Sequence, residues 1–553
     1  MTTATTIAKE RQLDWLLGEA LGGISAAQAR SPHRAHAHRH QPWIAAAVIL
    51  LASVAAFGVA MLREAPSTTN SAAPHGEPEW HEVYNRQELE ALPRDTKNLR
   101  CYDFDDSALT ALEKFPGLER LDLSGMAVSD QGYAASLRIT DAGLASLGKL
   151  TKLRWLCLQS CGEVTGTGLA VLETMPQLEH LDLTYTRVTS TAIDRLQRLP
   201  SLRELSLSSC MRFHGRSLAA IAKIPGLRRL ELRGCTTLAA ADIAPLGQLH
   251  ELTHLDLRDC QGRFRGQTFS FGNEAEADLP KEDGIGITDA SIAALAELKL
   301  ETLLLGGSES LTDGMGDTLA KMVTLRTLDL SSLPKITGAL LAKLPNGLTS
   351  LALDHTAPLH GRDLRKLPAL PQLRTLGLTG LSKLTDDDLR DLLDGKSLTT
   401  LRLGGEAGTR GKGGINLPTD PRVTRGVADL LAAQKQLEHL SLGGHANWID
   451  KGVIEQLATL PVLAELDFSQ NFGISADVLA PLAASQALRS LRLVQCTRLR
   501  EDTLPLLAGL KLRELDLYLT KLPPDAIRAA AKHWPGCLIT MPNGQRFRVP
   551  EAK

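Results

Sequence analysis

A six-residue pattern, L-x-x-L-x-L, recurs along the chain after about residue 80 and limits its possible folds more than any other feature. Most successive copies start 23 to 26 residues apart. Because side chains alternate across a β-strand, each copy predicts a short strand buried on one face. One unit cannot cover that face alone, so the units are expected to stack into a solenoid. The clear copies start at Leu118, Leu153, Leu178, Leu202, Leu227, Leu252, Leu300, Leu325, Leu348, Leu373, Leu398, Leu437, Leu463, Leu488 and Leu512, and a degenerate copy starts at Leu99.

A short helix is predicted before each strand. In one repeat Leu144 and Leu147 have helical spacing, and Thr140 or Asp141 precedes them where an N-cap belongs. Thr385 heads the same arrangement in a later repeat. The predicted fold class is therefore α/β, a solenoid with parallel strands on one side and helices on the other.

These repeats resemble the leucine-rich repeat family, and in particular its cysteine-containing, ribonuclease-inhibitor-like type. The block ITDAGLASLGKLTKLRWLCLQSC at Ile139–Cys161 is similar to repeats of bacterial membrane-anchored leucine-rich repeat proteins. The resemblance covers about four-fifths of the chain. It implies a curved horseshoe with strands on the concave face and helices on the convex face, and it implies no particular ligand.

Five cysteines lie eight residues after the first leucine of their repeat, at the turn position where this family places Asn or Cys. We expect reduced thiols in the core there, because parallel inward side chains rarely adopt the dihedral angle of a disulfide. Cys157 falls instead on an outward strand position and is expected to be exposed. The five are Cys161, Cys210, Cys235, Cys260 and Cys496.

The first 79 residues predict an anchor outside the repeats. Residues 43–62 (WIAAAVILLASVAAFGVAML) form 20 uncharged residues, which as a helix would span about 30 Å of hydrocarbon. This predicts a single transmembrane helix, with a cleaved secretory signal as the alternative. The basic residues before it predict a cytoplasmic N-terminus and an exported repeat domain, periplasmic or at the cell surface. The predicted order is a mostly flexible segment 1–42, the helix 43–62, a flexible stalk 63–79, the capped solenoid 80–540 and a tail 541–553.

Composition and motifs narrow the function classes. The formal net charge is −2, from 61 Lys and Arg against 63 Asp and Glu, which argues against a nucleic-acid binder. The sequence has no H-E-x-x-H, G-x-S-x-G or P-loop motif. We therefore predict no catalytic residue, cofactor or metal ligand, and we do not expect an enzyme.

The predicted binding residues lie on the outward strand positions of residues 155–260 and on two insertions, 261–286 and 404–421. Large, charged and aromatic side chains cluster there, as at protein interfaces, whereas the middle strands carry small residues. Repeat drift and tolerated surface loops are the alternative interpretations. The candidates on the strands and turns are Trp155, Gln159, His180, Tyr185, Glu204, Arg229, Arg233, His254 and Arg258, and those on the insertions are Phe264, Phe269, Phe271, Arg410 and Lys412.

Together these features predict a membrane-anchored, non-catalytic scaffold that binds a protein ligand through its concave face and rim loops. One alternative is a signalling receptor in which residues 1–42 contact a cytoplasmic partner. A second is a substrate adaptor of a ubiquitin ligase, because similar repeats occur in F-box proteins, although the apolar span speaks against it. The sequence leaves the ligand and the oligomeric state open.

Overall fold

The computed structural model describes residues 80–551, except 103, 125–126, 129–133, 136–138, 211, 261–285, 357, 382–383, 405–423 and 445–447. Within these residues no helix is both long enough and apolar enough to cross a bilayer. The predicted segments 1–42, 43–62 and 63–79 lie outside the described residues, so the transmembrane helix stays a prediction.

The repeats form a 19-stranded sheet in which each strand pairs with the strand of the next repeat. Every pairing is parallel except the last, between the two strands at the C-terminal end of the sheet. The strands are β1 His81–Val83, β2 Asn98–Cys101, β3 Arg120–Asp122, β6 Trp155–Cys157, β7 His180–Asp182, β8 Glu204–Ser206, β9 Arg229–Glu231, β10 His254–Asp256, β11 Thr302–Leu304, β12 Thr327–Asp329, β13 Ser350–Ala352, β14 Thr375–Gly377, β15 Thr400–Arg402, β16 His439–Ser441, β17 Glu465–Asp467, β18 Ser490–Arg492, β19 Glu514–Asp516, β20 Leu538–Thr540 and β21 Arg546–Arg548. A separate antiparallel hairpin, β4 Ala127–Val128 with β5 Ala134–Ala135, lies in the long interval after β3.

Short helices precede the strands, as predicted. The α-helices are Arg86–Ala91, Asp106–Leu109, Asp141–Leu144, Ser190–Ile193, Leu218–Ile221, Asp289–Ala293, Gly316–Lys321, Gly338–Leu341, Gly361–Leu364, Asp386–Leu393, Val427–Ala433, Lys451–Ala458, Ala476–Leu479, Thr503–Leu507 and Pro524–Ala530. Segments of 3₁₀ helix extend or replace them at Thr110–Lys114, Ala145–Lys149, Thr167–Thr174, Leu196–Arg198, Gly215–Ser217, Ala240–Gln248, Asp313–Met315, Ala480–Ala484 and Ala531–His533.

The core is a stack of leucine layers. Leu121, Leu156 and Leu181 occupy the middle of successive strands, lie opposite one another in register and are fully buried. Burying a Leu side chain stabilises a fold by about 1.5–3 kcal/mol, and branched aliphatic side chains fill these thin layers without rings. This explains how the chain folds with only 4% aromatic residues, and it confirms the predicted solenoid.

Threonine–aspartate pairs at the helix starts join one repeat to the next. Thr140 caps its helix by accepting a hydrogen bond from the Ala142 amide, as predicted. Its own amide donates to Asp106 of the preceding repeat at 2.8 Å. Asp141 accepts bonds from the Thr165 hydroxyl and the Gly166 amide of the following repeat. The carboxylates thus satisfy helix-start amides across repeat boundaries.

The solenoid ends in a feature that the sequence did not predict. Arg546–Arg548, within the segment predicted as a tail, forms an antiparallel strand against β20, with Phe547 opposite Ile539. The Arg528 guanidinium lies 5.7 Å from the centre of the Phe547 ring. An antiparallel strand covers the last parallel strand and so closes the sheet at this end.

Candidate functional site

The first and third residues of the strands from β2 to β20 face away from the leucine core, and the register aligns them into columns across the sheet. Trp155, His180 and Glu204 follow one another in the first column on β6, β7 and β8. Neighbouring members of a column are about 4.8 Å apart at the backbone. The predicted candidates on consecutive strands are therefore brought together.

The third column contains many aspartates, and their role is to shape the turns. Asp182 accepts a hydrogen bond from the amide two residues later, Thr184, at 2.8 Å. The same bond recurs at Asp122, Asp256, Asp329, Asp467 and Asp516, at 2.8–3.0 Å. An Asp that binds its own backbone two residues on mimics a turn. These carboxylates stabilise the turn that follows each strand, and this structural role explains why Asp recurs at this position of the repeat.

The turn cysteines bind the preceding repeat. The Cys210 thiol donates to the carbonyl oxygen of Leu183 at 3.1 Å, and the Cys235 thiol donates to that of Leu207 at 3.2 Å. The remaining predicted positions, Cys161, Cys260 and Cys496, make equivalent bonds at 3.0–3.2 Å. Asn471 takes the same place in one repeat, where its amide donates to Leu442 at 2.7 Å.

The described part of the chain is a leucine-rich repeat solenoid. The parallel register, the leucine layers and the Cys or Asn turn ladder decide this, and they bear out the resemblance seen in the sequence. No family model matches the sequence.

Several solved structures are similar to this leucine-rich repeat chain. An internalin from Listeria monocytogenes is 17% identical over 81% of this chain and 87% of its own, with a TM-score of 0.31. A leucine-rich repeat protein of Leptospira interrogans is 17% identical over 83% and 100%, with a TM-score of 0.35. Rad7, in a complex with Elc1 in yeast, is 20% identical over 66% and 83%, with a TM-score of 0.39. These similarities assign no ligand or partner to this chain.

An open cavity of about 390 Å³ lies over the first strands, and we name it the N-terminal groove. Its central feature is Trp155, whose ring stacks on His180 at 4.9 Å between centroids and 9° between planes. Trp80 approaches the Trp155 ring edge-on at 5.4 Å. The groove is lined by Glu119, Arg120, Arg154, Trp155, Glu179, His180 and Glu204.

Glu204 holds the imidazole of the groove in place. The His180 Nδ1 atom lies 3.0 Å from a Glu204 carboxylate oxygen, and this hydrogen bond lowers the pKa of Glu204. With Trp155 against its face, the His180 ring is fixed from two directions. Three of the predicted binding residues thus form one preorganised surface.

Trp80 belongs to this surface, although the sequence analysis missed it. It directly precedes β1, the Arg100 guanidinium lies 4.9 Å from its ring centre, and Arg100 is itself paired with Asp122 at 2.8 Å. The first repeat lacks a full L-x-x-L-x-L copy, so the pattern alone did not reveal this position. Continuing the register one strand beyond Leu99 would have placed Trp80 in the first column.

The three predicted arginines on the sheet and its turns are paired with neighbouring carboxylates. Arg229 is paired with Glu231 at 2.7 Å, and Arg233 with Asp259 at 3.0 Å. The Arg258 guanidinium binds both carboxylate oxygens of Asp256. The positive charges of Arg229, Arg233 and Arg258 are therefore balanced by carboxylates of the chain itself, which leaves less unpaired charge for a ligand than the sequence suggests.

Two further candidates lie in turns, and the rest are outside the described residues. Tyr185 follows β7 with a φ of 58°, and 42% of it is exposed. Gln159 occupies the equivalent turn after β6 and is half-buried. The insertion candidates Phe264, Phe269, Phe271, Arg410 and Lys412 lie in the ranges 261–285 and 405–423, which the structure does not describe, so they stay predictions.

His254 is buried beside the guanidinium of Arg229. Only 9% of it is exposed, its Nδ1 accepts from Arg229 at 3.3 Å, and its Nε2 makes no hydrogen bond to the described residues. Burial, and then the charge of Arg229, lower the pKa of His254 to about 4. The imidazole is therefore neutral in the folded chain at neutral pH.

We expect this histidine to weaken the fold in acid. Since an unfolded histidine has a pKa of about 6.5, the unfolded chain binds more protons than the folded chain between about pH 6.5 and 4, and stability falls as the pH falls through that range. The loss attributable to His254 should be on the order of 2–3 kcal/mol. Urea unfolding at pH 7 and pH 4 measures it, with His254→Gln as the matched variant. An equal pH dependence in both proteins would contradict the burial of the imidazole.

Cys157 corrects a sequence prediction. It was expected to be exposed, but it is 5% exposed, because in register it lies between Asp122 and Asp182. Its Sγ atom is 3.8 Å from an Asp182 carboxylate oxygen. At the spacing of neighbouring strands, longer side chains on both sides cover a short one. An outward position on the sheet is therefore not always accessible to solvent.

All eight cysteines of the chain are buried and free. Burial raises their thiol pKa, to about 12 for Cys161, Cys210 and Cys496. Because the thiolate is the reactive form, we expect the native chain to react slowly with a thiol reagent such as DTNB. In denaturant without reductant, eight thiols per chain should react. A fast native phase would show an accessible cysteine, and fewer than eight thiols in denaturant would show disulfides.

The middle of the sheet carries small side chains in its first column, as predicted, but it also holds one long ion pair. Arg402 on β15 reaches over Gly377 to Asp354, two strands away, with one N–O distance of 2.5 Å. A Cβ atom at Gly377 would lie within 2.4 Å of both charged groups. This pair was not predicted from the sequence, because its two residues are 48 positions apart.

Within the described residues, no group of three or more His, Cys, Asp or Glu side chains is arranged to hold a metal ion. The expected absence of catalysis and of a cofactor stays a prediction. The arrangement offers preorganised aromatic surface and defined charges in the N-terminal groove, which are means of recognition.

Proposed function

We propose that this leucine-rich repeat protein is a non-catalytic scaffold that binds a protein ligand in the N-terminal groove. The observation that carries the proposal is the stacked Trp155–His180 pair, buttressed by Trp80 and fixed by Glu204. Half-buried aromatic anchors held rigidly beside charged side chains are typical of the energetic centres of protein interfaces. The candidates on the undescribed insertions belong to the same proposal as additional contacts.

Photocrosslinking in the full-length chain tests the groove. Glu179 is replaced by benzoylphenylalanine, and Asp317 on the helix side, whose side chain is 81% exposed, is replaced likewise as the control. We expect a protein adduct in the producing cells from position 179 only. Adding Trp155→Ala should reduce it at least tenfold, because loss of an interface anchor of this kind costs about 2 kcal/mol or more.

Adducts that are the same from positions 179 and 317, or that survive Trp155→Ala undiminished in a folded chain, would refute binding at the groove. Folding of each variant is checked by circular dichroism and by its thermal midpoint. This control matters because Trp155 also contacts Trp80 and His180 inside the fold.

We also propose that residues 43–62 anchor the chain in a membrane, with the repeats exported. The support is the sequence: 20 uncharged residues follow a basic segment. Protease added to intact cells should degrade the repeats and leave a short fragment containing the anchor. Complete protection until the cytoplasmic membrane is breached would refute export, and recovery of the chain in the soluble fraction would refute anchoring.

A further inference from the structure

The charges that line the N-terminal groove do not cancel locally. Two of its three carboxylates are paired with a cation at 2.6–2.8 Å, Glu119 with Lys97 and Glu179 with Arg154. Glu204 is hydrogen-bonded at 3.0 Å to His180, which is a cation only when protonated. The Arg120 side chain lines the same groove and makes no ion pair or hydrogen bond with any described residue. Arg120 on β3 is therefore the cation of the groove lining that has no ion pair among the described residues, and it lies three strands away from Glu204 on β8.

This guanidinium lies beside the apolar anchor. Arg120 on β3 is the register partner of Trp155 on β6, so their backbones are about 4.8 Å apart. His180 covers one face of the Trp155 ring, and Trp80 makes a T-shaped contact with the same ring. A ligand that fills the groove meets a fork of five N–H donors next to aromatic surface.

We propose that the groove recognises an acidic segment of the partner, with a carboxylate bound to Arg120 and a neighbouring apolar or aromatic side chain packed beside Trp155. This rests on the proposed function and names the chemistry of the protein ligand. A guanidinium binds a carboxylate through two parallel hydrogen bonds, each stronger than a neutral one. The volume of about 390 Å³ is near the lower end for ligand cavities, which suits a short segment.

A charged and a neutral side chain of nearly the same shape can be compared directly. The probes are the radiolabelled peptides acetyl-Gly-Asp-Tyr-Gly-amide and acetyl-Gly-Asn-Tyr-Gly-amide, which differ in one charge. In equilibrium dialysis against the full-length chain, we expect the Asp peptide to bind about tenfold more tightly, which is the contribution of one charge-assisted contact. The preference should shrink as salt is raised, because the contact is partly exposed.

Arg120→Gln should remove the preference, while the matched variant Arg216→Gln should keep it. Arg216 is an exposed arginine in the Gly215–Ser217 helical segment, away from the groove. Trp155→Ala should weaken both peptides alike, since it removes packing and no charge. Arg120 has no ion pair to lose, so Arg120→Gln is expected to fold with an unchanged thermal midpoint.

Equal binding of the two peptides, or a preference for the Asp peptide that remains in Arg120→Gln, would contradict the proposal that the groove binds an acidic segment. If the chain dimerises without peptide and the Arg120→Gln variant is monomeric, the groove binds a second copy of this chain, and the proposal of an acidic segment is wrong. If the crosslink from position 179 is still sensitive to Trp155→Ala while the peptides bind equally, protein binding stands and the acidic chemistry fails. If the crosslink is insensitive to Trp155→Ala and the two peptides also bind equally, the proposal that the groove binds a protein ligand is wrong.

Discussion

Arg258→Ala should lower the free energy of unfolding by about 3–5 kcal/mol, because it leaves buried carboxylates without their cation. The guanidinium is 19% exposed, binds both oxygens of Asp256 and lies 4.0 Å from Asp329. The carboxylates are 5% and 16% exposed. Burial already raises the pKa of Asp329, and the positive charge of Arg258 opposes that rise.

The matched control is Arg154→Ala, which also removes an arginine from an ion pair with a short N–O distance. The Arg154–Glu179 pair is about half exposed on both sides, so its loss should cost less than about 1 kcal/mol. Asp256→Asn in the Arg258→Ala background should restore part of the stability by removing one stranded charge. The deficit of Arg258→Ala should also narrow as the pH falls and the stranded carboxyl groups become protonated. Urea unfolding of the full-length chains measures all of these, and equal costs for the two arginines would contradict a desolvated cluster.

Much of the fold is readable from the sequence, because a repeat applies one physical constraint many times. Each L-x-x-L-x-L copy needs its leucines buried, and a strand is the only local structure that alternates at this spacing. The Thr140 cap and the Cys210 turn position follow equally from local chemistry. The Trp155, His180 and Glu204 neighbourhood was readable for the same reason, because the register aligns consecutive repeats.

The sequence did not predict contacts in which a side chain extends across to a neighbouring strand or beyond it. Cys157 was expected to be exposed, but the flanking aspartates cover it. Arg402 crosses one whole strand to Asp354, and only the missing Cβ at Gly377 leaves room for it. The repeat pattern therefore predicts which residues face outward. The ion pairs between their side chains, which the pattern does not predict, decide which charges are free to bind a ligand. Arg120 and Arg229 occupy the same repeat position, two residues after the first leucine, yet of the two only Arg229 is paired with a carboxylate, that of Glu231.

Gly166→Ala should destabilise the chain by about 2–5 kcal/mol, from two separate causes. Gly166 has a φ of 111°, which L-residues with a Cβ rarely adopt, and its Cβ would lie 2.2 Å from the Cβ of Ala192. Neither atom is the end of a flexible side chain, so the clash requires the backbone of one repeat to move. Its amide would then lose alignment with Asp141, to which it donates at 3.0 Å.

Gly117→Ala is the matched control, since no atom lies within 4 Å of its Cβ position and its φ is not positive. We expect it to be nearly neutral. The double variant Gly166→Ala with Ala192→Gly should recover the part due to the clash and keep the part due to the left-handed backbone, about 1–2 kcal/mol. Full recovery would mean that the backbone conformation costs nothing, and no recovery would mean that the two repeats do not approach each other closely at Gly166 and Ala192.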